Sequence, residues 1–215
     1  MINELDLLIF DMDGVLVDTT ACHQRAFALL WQTLGVNGPA YDEIAGRKTK
    51  DVVAEYTTEL NPTEEQITEW VVFKQRLARE CLAIEEIAFH DSEESITQLT
   101  NRRIRLALGT GASRETTNSV LKRQGWGEAF SIVVTGEDVN HGKPEPEIYL
   151  AAMERAGARP DRTLIVEDSQ AGLASAIASG AYAATVRTGR TLESERFVGS
   201  FPDLKSLFTT LGVMR

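Results

Sequence analysis

Five short apolar runs, each ending abruptly in polar residues or glycine, constrain the fold of this 215-residue chain more than any other feature. Residues 5–10 stop at Asp11, and 104–108, broken only by Arg105, stop at Gly109-Thr110-Gly111. Residues 131–134 stop at Thr135-Gly136, 164–166 at Glu167-Asp168, and 183–186 at Arg187-Thr188-Gly189. Runs that are continuous rather than alternating belong to strands buried on both faces. The stretches between them have helical spacing: 113–124 sets Val120 and Leu121 on one face, 147–156 repeats apolar residues, and 171–179 is small and apolar before Gly180. Strand and helix in alternation predict an α/β fold with a doubly wound parallel sheet. In such sheets function gathers at the carboxyl ends of the strands, where all five polar terminations fall.

One segment breaks the rhythm. Roughly ninety residues separate the first two strands, where a crossover needs about a dozen. Within them, 19–34 and 63–82 are helical in pattern, and Thr63 with Gln66 forms a capping-box signature behind Pro62. Trp31, Trp70 and Phe73 supply apolar anchors for a separate small core. The expected organisation is a catalytic core of residues 1–17 and 88–215, with a helical insert at 18–87 over the sheet's active edge. A further helix at 91–101 leads back into the sheet.

Charge narrows the partners. The formal net charge is −10 and the isoelectric point is near 4.9. A chain this acidic repels phosphate backbones and anionic lipid, which sets nucleic acid and membrane surfaces aside as partners. An anionic substrate then requires local cations, a metal or backbone amides. Cys22 and Cys81 are too few for a disulfide framework and suit a reducing compartment. No run approaches the ~18 apolar residues of a bilayer span, and the first ten residues lack a basic region. The expectation is a soluble, cytoplasmic protein.

The chemistry lies at the strand ends. Asp11 and Asp13, just past the first strand, can turn into one small volume, with Gly14 allowing a sharp bend after them. Like charges that close raise each other's pKa unless a cation sits between them. A hard divalent ion, Mg²⁺ where a phosphate completes its shell, answers this; a solvated turn would carry the same residues. Thr110-Gly111-Ala112-Ser113 offers a hydroxyl and amides to phosphate oxygens at a helix start, or equally an N-cap at Ser113. Lys143, between Gly142 and Pro144, has a restricted backbone that favours a positioned cation over a solvated one. Glu167 and Asp168 directly follow a buried strand, where unpaired acids are costly, so a bound cation is the natural partner.

Taken together, the segments Asp11-Met12-Asp13-Gly14-Val15-Leu16-Val17-Asp18-Thr19, Thr110-Gly111, Gly142-Lys143-Pro144 and Val166-Glu167-Asp168-Ser169 resemble, in order, the four motifs of the haloacid dehalogenase superfamily. The insert is similar to the helical cap of the subfamily that contains β-phosphoglucomutase and small-molecule phosphatases. The resemblance implies that Asp11 is a nucleophile forming an aspartyl-phosphate and that Asp13 is the general acid and base. It implies Mg²⁺ held by Asp11, the Asp13 carbonyl and Asp168, with Glu167 as ligand or behind the ligands. Thr110, the amides of Gly111 and Ala112, and Lys143 would hold the phosphoryl group. Asp13 argues for C–O–P substrates, because a dehalogenase has no leaving oxygen to protonate. A phosphonatase would need a cap lysine for a Schiff base, for which Lys48, Lys50 and Lys74 are the candidates.

The insert sets substrate choice. His23 falls where β-phosphoglucomutase has a histidine at the cap entrance, or it is a plain helix histidine near the hinge. Gly46, Arg47 and Lys48 belong to an expected cap loop facing the site, with a solvated loop as the alternative. The mutase pattern places an arginine three residues after the loop glycine; Thr49 stands there instead. Hydrolysis of a small phosphorylated metabolite is therefore expected over mutase action. His90 and His141 have no assigned role, and Arg114 either reaches substrate or sits in solvent. A phosphoaspartate receiver, which lacks such an insert, and a non-catalytic binding module are the readings from other classes.

Overall fold

Six parallel strands form one sheet in the order β3-β2-β1-β4-β5-β6, in a computed structural model that describes residues 5–102 and 104–213. The strands are β1 Leu7–Phe10, β2 Arg105–Gly109, β3 Ile132–Val134, β4 Thr163–Glu167, β5 Tyr182–Val186 and β6 Phe197–Phe201. The first five lie on the five apolar runs. β6 lacks such a run because it is an edge strand, buried only in part, with one side free of a neighbour.

The helices are α1 Thr20–Leu34, α2 Tyr41–Ile44, α3 Thr49–Tyr56, α4 Glu64–Ile84, α5 His90–Thr100, α6 Arg114–Gln124, α7 Glu147–Ala156, α8 Gln170–Ala178 and α9 Leu204–Thr210. The sheet is covered on both faces, which is why its inner strands are largely continuous apolar runs. Leu8, Phe10, Leu106, Leu108, Leu164 and Val166 pack on one face against α5, α6 and α9. Leu7, Ile9, Ala107 and Ile165 pack on the other against α7 and α8.

The register decides the site. Phe10 pairs with Leu108 on one side and Val166 on the other. The residues that follow, Asp11, Gly109 and Glu167, therefore emerge side by side at the carboxyl edge. Strand order reverses between β1 and β4, the position where α/β sheets open a crevice.

Helices α1 to α4 form a layer over that edge with its own cluster of Phe27, Leu30, Trp31, Ile44, Val52, Val53 and Ile67. Trp70 and Phe73 pack against it from α4. Thr63 and Gln66 bond reciprocally at the start of α4, the capping box that the spacing predicts. The segment expected as a loop after Gly46 turns into α3 at Thr49. Val17 and Ala88 form an antiparallel bridge where the chain leaves and re-enters the sheet layer.

Cys22, near the start of α1, and Cys81, near the end of α4, form a disulfide with Cα atoms 5.5 Å apart. The bond removes the argument from the low cysteine count to a reducing compartment. Antiparallel packing of two helices brings together residues 59 apart in sequence. Among the described residues no helix is long and apolar enough to cross a membrane.

Candidate active site

β1 delivers Asp11 to the centre of the edge, where its amide continues the ladder by donating to the Val166 carbonyl at 2.9 Å. The chain then doubles back tightly, with the Gly14 amide donating to the Val17 carbonyl at 2.8 Å. Gly14 has φ +78°, and a Cβ there would lie 2.0 Å from Asp168 Oδ2. Only glycine satisfies both the left-handed backbone and the close approach of that carboxylate.

Lys143 lies under this turn. Its ammonium donates to Asp11 Oδ1 at 2.5 Å, Glu167 Oε1 at 2.6 Å and the Gly109 carbonyl at 3.1 Å. The side chains of Lys143 and Glu167 are 0% exposed and that of Asp11 is 3% exposed, so water does not screen these pairs. Burial alone would lower the Lys143 pKa, but Asp11 and Glu167 outweigh it and hold the ammonium above its ordinary range. Burial pushes the Asp11 carboxyl up to about 8 against the opposing pull of Lys143, with Glu167 and Asp13 pushing further up.

Glu167 is tied by more donors still. Tyr149 donates its hydroxyl to Oε1, and the Asp168 amide, Ser169 amide and Ser169 hydroxyl donate to Oε2. Burial would raise Glu167, but Lys143 and these donors hold it below the usual carboxylate range. Asp168 is different. Its carboxylate is pushed well above its ordinary value by burial and by Glu167 and Asp11, and no hydrogen bond from a described residue counters that.

The charges around this floor do not balance. Asp11, Glu167 and Asp168 bring ligand oxygens within 4.8 Å of one another. Three carboxylates face one ammonium, so ionising all of them would leave two negative charges without a partner, and the raised values of Asp11 and Asp168 express that cost. An all-oxygen donor set with that deficit fits one hard divalent cation. Glu167, already saturated by donors, fits a place behind the ligands, which leaves Asp11 and Asp168 with oxygens to offer.

Asp13 faces away from that cluster, toward the helical layer. Its Oδ1 accepts from the Thr19 hydroxyl at 2.6 Å and lies 3.4 Å from His23 Nε2. His23 Nδ1 is 2.9 Å from Lys74 Nζ. An Nδ1 that accepts from an ammonium leaves the imidazole proton on Nε2, the nitrogen facing Asp13. Burial would raise Asp13, but His23 and Thr19 hold its carboxyl below the usual range. Burial brings Lys74 down to about 8, with Asp13 opposing, and its ammonium lies 4.2 Å above the Phe27 ring.

Thr110, Gly111 and Ala112 line the same cavity as Asp11, Asp13 and His23. The Ala112 amide, expected to be free for phosphate, donates instead to Thr110 Oγ1 at 3.1 Å. Ser113 is the N-cap of α6. Gly46 and Arg47 reach the cavity, with the Arg47 guanidinium on Glu55 at 2.5 Å. Lys48 does not point there. Its ammonium donates to the Val139 carbonyl at 2.9 Å, so the expected substrate contact is corrected to a contact with the core. Lys50 pairs with Glu64. Arg114 pairs with Asp138, His141 with Glu147, and His90 is exposed at the start of α5.

Thr19, present in the first motif without a role of its own, and Tyr149 join the site only in the structure, and Lys74 had one conditional role. Lys74 had a signal: it interrupts the apolar stripe Ile67, Val71, Ala78, Leu82 of α4, where a buried lysine needs a purpose. Tyr149 had none, because a tyrosine on an apolar helix face reads as core.

The sequence model of a hydrolase family described as haloacid dehalogenase-like matches residues 5–180. A fructose-1-phosphate phosphatase of Escherichia coli strain K12 is 30% identical over 190 residues, spanning 84% of this chain and 95% of its own. A phosphorylated carbohydrates phosphatase of Thermotoga maritima is 28% identical over 180 residues, 82% of either chain. The crystal structure of CbbY from Rhodobacter sphaeroides in complex with phosphate superposes with a TM-score of 0.78 at 26% identity, covering 97% of this chain and 96% of that one.

Proposed function

The chain belongs to the haloacid dehalogenase-like hydrolases, and we propose that it hydrolyses small phosphate monoesters, of the sugar-phosphate class, through a phosphorylated Asp11. The observation that carries this reading is Asp13. A second carboxylate beside the nucleophile, with Thr19 and His23 directed at it, serves a reaction whose leaving oxygen needs a proton. The two phosphatases above, which act on phosphorylated sugars by name, support the substrate class.

A carboxylate oxygen of Asp11 attacks phosphorus, and the bond from phosphorus to the ester oxygen breaks with its electron pair on that oxygen. Asp13 supplies the proton to it. In the second half, Asp13 accepts a proton from water as the water oxygen attacks phosphorus, and the bond to Asp11 breaks to release phosphate. A phosphate dianion beside Asp13 raises its pKa, so bound substrate opposes the depression that Thr19 and His23 impose. Lys143 neutralises Asp11, without which an anionic phosphoryl group would repel the nucleophile. Mg²⁺, held by Asp11, the Asp13 carbonyl and Asp168, would supply charge neutralisation on the phosphoryl oxygens. Thr110 and Gly111 would hold those oxygens from β2.

The cavity over Asp11 and Asp13 is about 30 Å³, room for about one water. A sugar phosphate needs far more, so residues 18–87 act as a cap that opens to admit substrate and closes to exclude solvent. The Val17–Ala88 bridge supports a hinge at those two crossings. Thr49, buried at the cavity where the mutase pattern has an arginine, supplies no charge for a second phosphate and favours water as the acceptor.

Phosphate release from a panel of phosphate monoesters, with and without Mg²⁺, tests the reading. Metal-dependent release that disappears in Asp11→Asn and Asp13→Ala is the expected result. Isomerised sugar phosphate with little free phosphate, on addition of β-glucose 1-phosphate and a bisphosphate primer, would replace hydrolysis with mutase action.

A further inference from the structure

Lys143 sits on a loop, residues 135–146, that contains neither helix nor strand, and its alignment has to come from what grips that loop. On the core side, Glu147 Oε2 accepts from the amides of Asn140 and His141 at 2.9 and 3.1 Å. On the opposite side, among the described residues, the start of α3 grips it. Lys48 Nζ donates to the carbonyls of Val139 at 2.9 Å and Asn140 at 3.4 Å. Asp51 Oδ2 accepts from the Gly142 amide at 3.3 Å, directly before Lys143. Gly142 permits this approach. A Cβ on it would lie 2.5 Å from Lys48 Cβ and 3.0 Å from Asp51 Oδ2.

We propose that Lys48 and Asp51 form a latch through which cap closure seats Lys143 against Asp11. They are positioning residues, acting through the lysine and not on substrate. The polarity is matched: an ammonium meets two carbonyls and a carboxylate meets an amide, so each bond is charge-assisted. All three bonds run between residues 91 or 92 apart in sequence, from insert to core, and opening the cap breaks them together. The nucleophile is then neutralised fully only when the site is shut, which links chemistry to exclusion of water. This inference rests on the cap motion and phosphatase reading above.

The test compares Lys48→Met, which keeps the stem against Gly142, with Asp51→Ala and Asp51→Asn in the full-length protein. Two readouts are taken: acylation of Lys143 by acetic anhydride, followed by mass spectrometry, and steady-state phosphate release. Lys48→Met and Asp51→Ala should each raise the Lys143 labelling rate about fivefold or more, with Lys205 labelling unchanged as the control for folding. They should also lower kcat about tenfold with KM nearly constant, since misplacement by about 1 Å costs on the order of a hundredfold. Asp51→Asn, whose amide oxygen still accepts from Gly142, should recover most of both. In a Lys143→Ala background, Asp51→Ala should cost nothing further in turnover, because the lysine through which it acts is gone. Unchanged Lys143 labelling in both single variants overturns the latch, as does a loss that falls on KM alone. If the wild type releases no phosphate from any ester, the phosphatase reading fails, while the labelling arm still decides whether the latch seats the lysine.

Discussion

The floor of the site and the seam beneath the cap are both built from charged groups, yet they use charge in opposite ways. On the floor, Lys143, Asp11 and Glu167 are sealed from water and joined at 2.5 and 2.6 Å. Along the seam, Arg190 meets Asp42 at 2.5 Å with the aspartate 83% exposed, and Arg79 meets Glu115 with the glutamate 72% exposed. Removing one member of a buried pair leaves an uncompensated charge and costs about 3–5 kcal/mol. An exposed pair contributes about 0–1 kcal/mol and weakens with salt. A sealed floor thus lies beside a seam of weak, replaceable contacts, and the bonds of Lys48 and Asp51 are the ones that join the helical layer to the loop carrying Lys143.

The largest effect that would sharpen this contrast is Asp11→Asn. It should abolish phosphate release by on the order of 10⁴-fold or more while leaving the thermal midpoint equal or higher, since it relieves carboxylate repulsion and Lys143 keeps Glu167 as its ion-pair partner. A variant that loses its midpoint as well would show the floor to be held together by its charges alone. Glu167→Ala should cost about 3–5 kcal/mol in urea unfolding, because Lys143 and Tyr149 lose their shared acceptor. A cost below 1 kcal/mol would erase the distinction between floor and seam.

Reduction of Cys22–Cys81 comes next. Cross-linking residues 59 apart is worth about 4 kcal/mol by loop-closure entropy. The loss should appear as faster amide exchange in α1 and α4 with β1 and β4 unaffected. Exchange that rises equally in the sheet would mean that cap and floor unfold as one unit. Arg190→Ala should cost under 1 kcal/mol, and the difference from wild type should vanish in 1 M salt.

An effect of similarly small size is a pH dependence at the loop that begins the Lys143 segment. Asp138 would be raised by burial, but the Thr135 amide and hydroxyl, with Arg155 and Arg114, bring it down to about 2 from 3.8. A depressed carboxylate stabilises fully above its unfolded pKa and loses that contribution as pH falls through the folded one. Asp138→Asn should therefore be less stable than wild type at pH 7 by about 1 kcal/mol, after allowance for solvent screening. The gap should close between about pH 4 and pH 2. A gap that persists at pH 2 would assign the effect to packing.

Local pattern determined much of this protein. Continuous apolar runs located β1 to β5 because burial on both faces leaves few polar positions, and the acidic, glycine and lysine residues after them marked the active edge. Thr63 and Gln66 announced a helix start four residues long in information. What local pattern lacked, it could not report. β6 is half-exposed and α9 is only seven residues long, so neither repeats a burial signal far enough to be read. The pairing of Cys22 with Cys81, the direction of Lys48 toward Val139, and the convergence of Tyr149 and Lys143 on Glu167 each join residues far apart in sequence. Sequence spacing carries the periodicity of a single element. Which elements pack together, and at what register, is decided only when the whole chain buries its apolar surface at once.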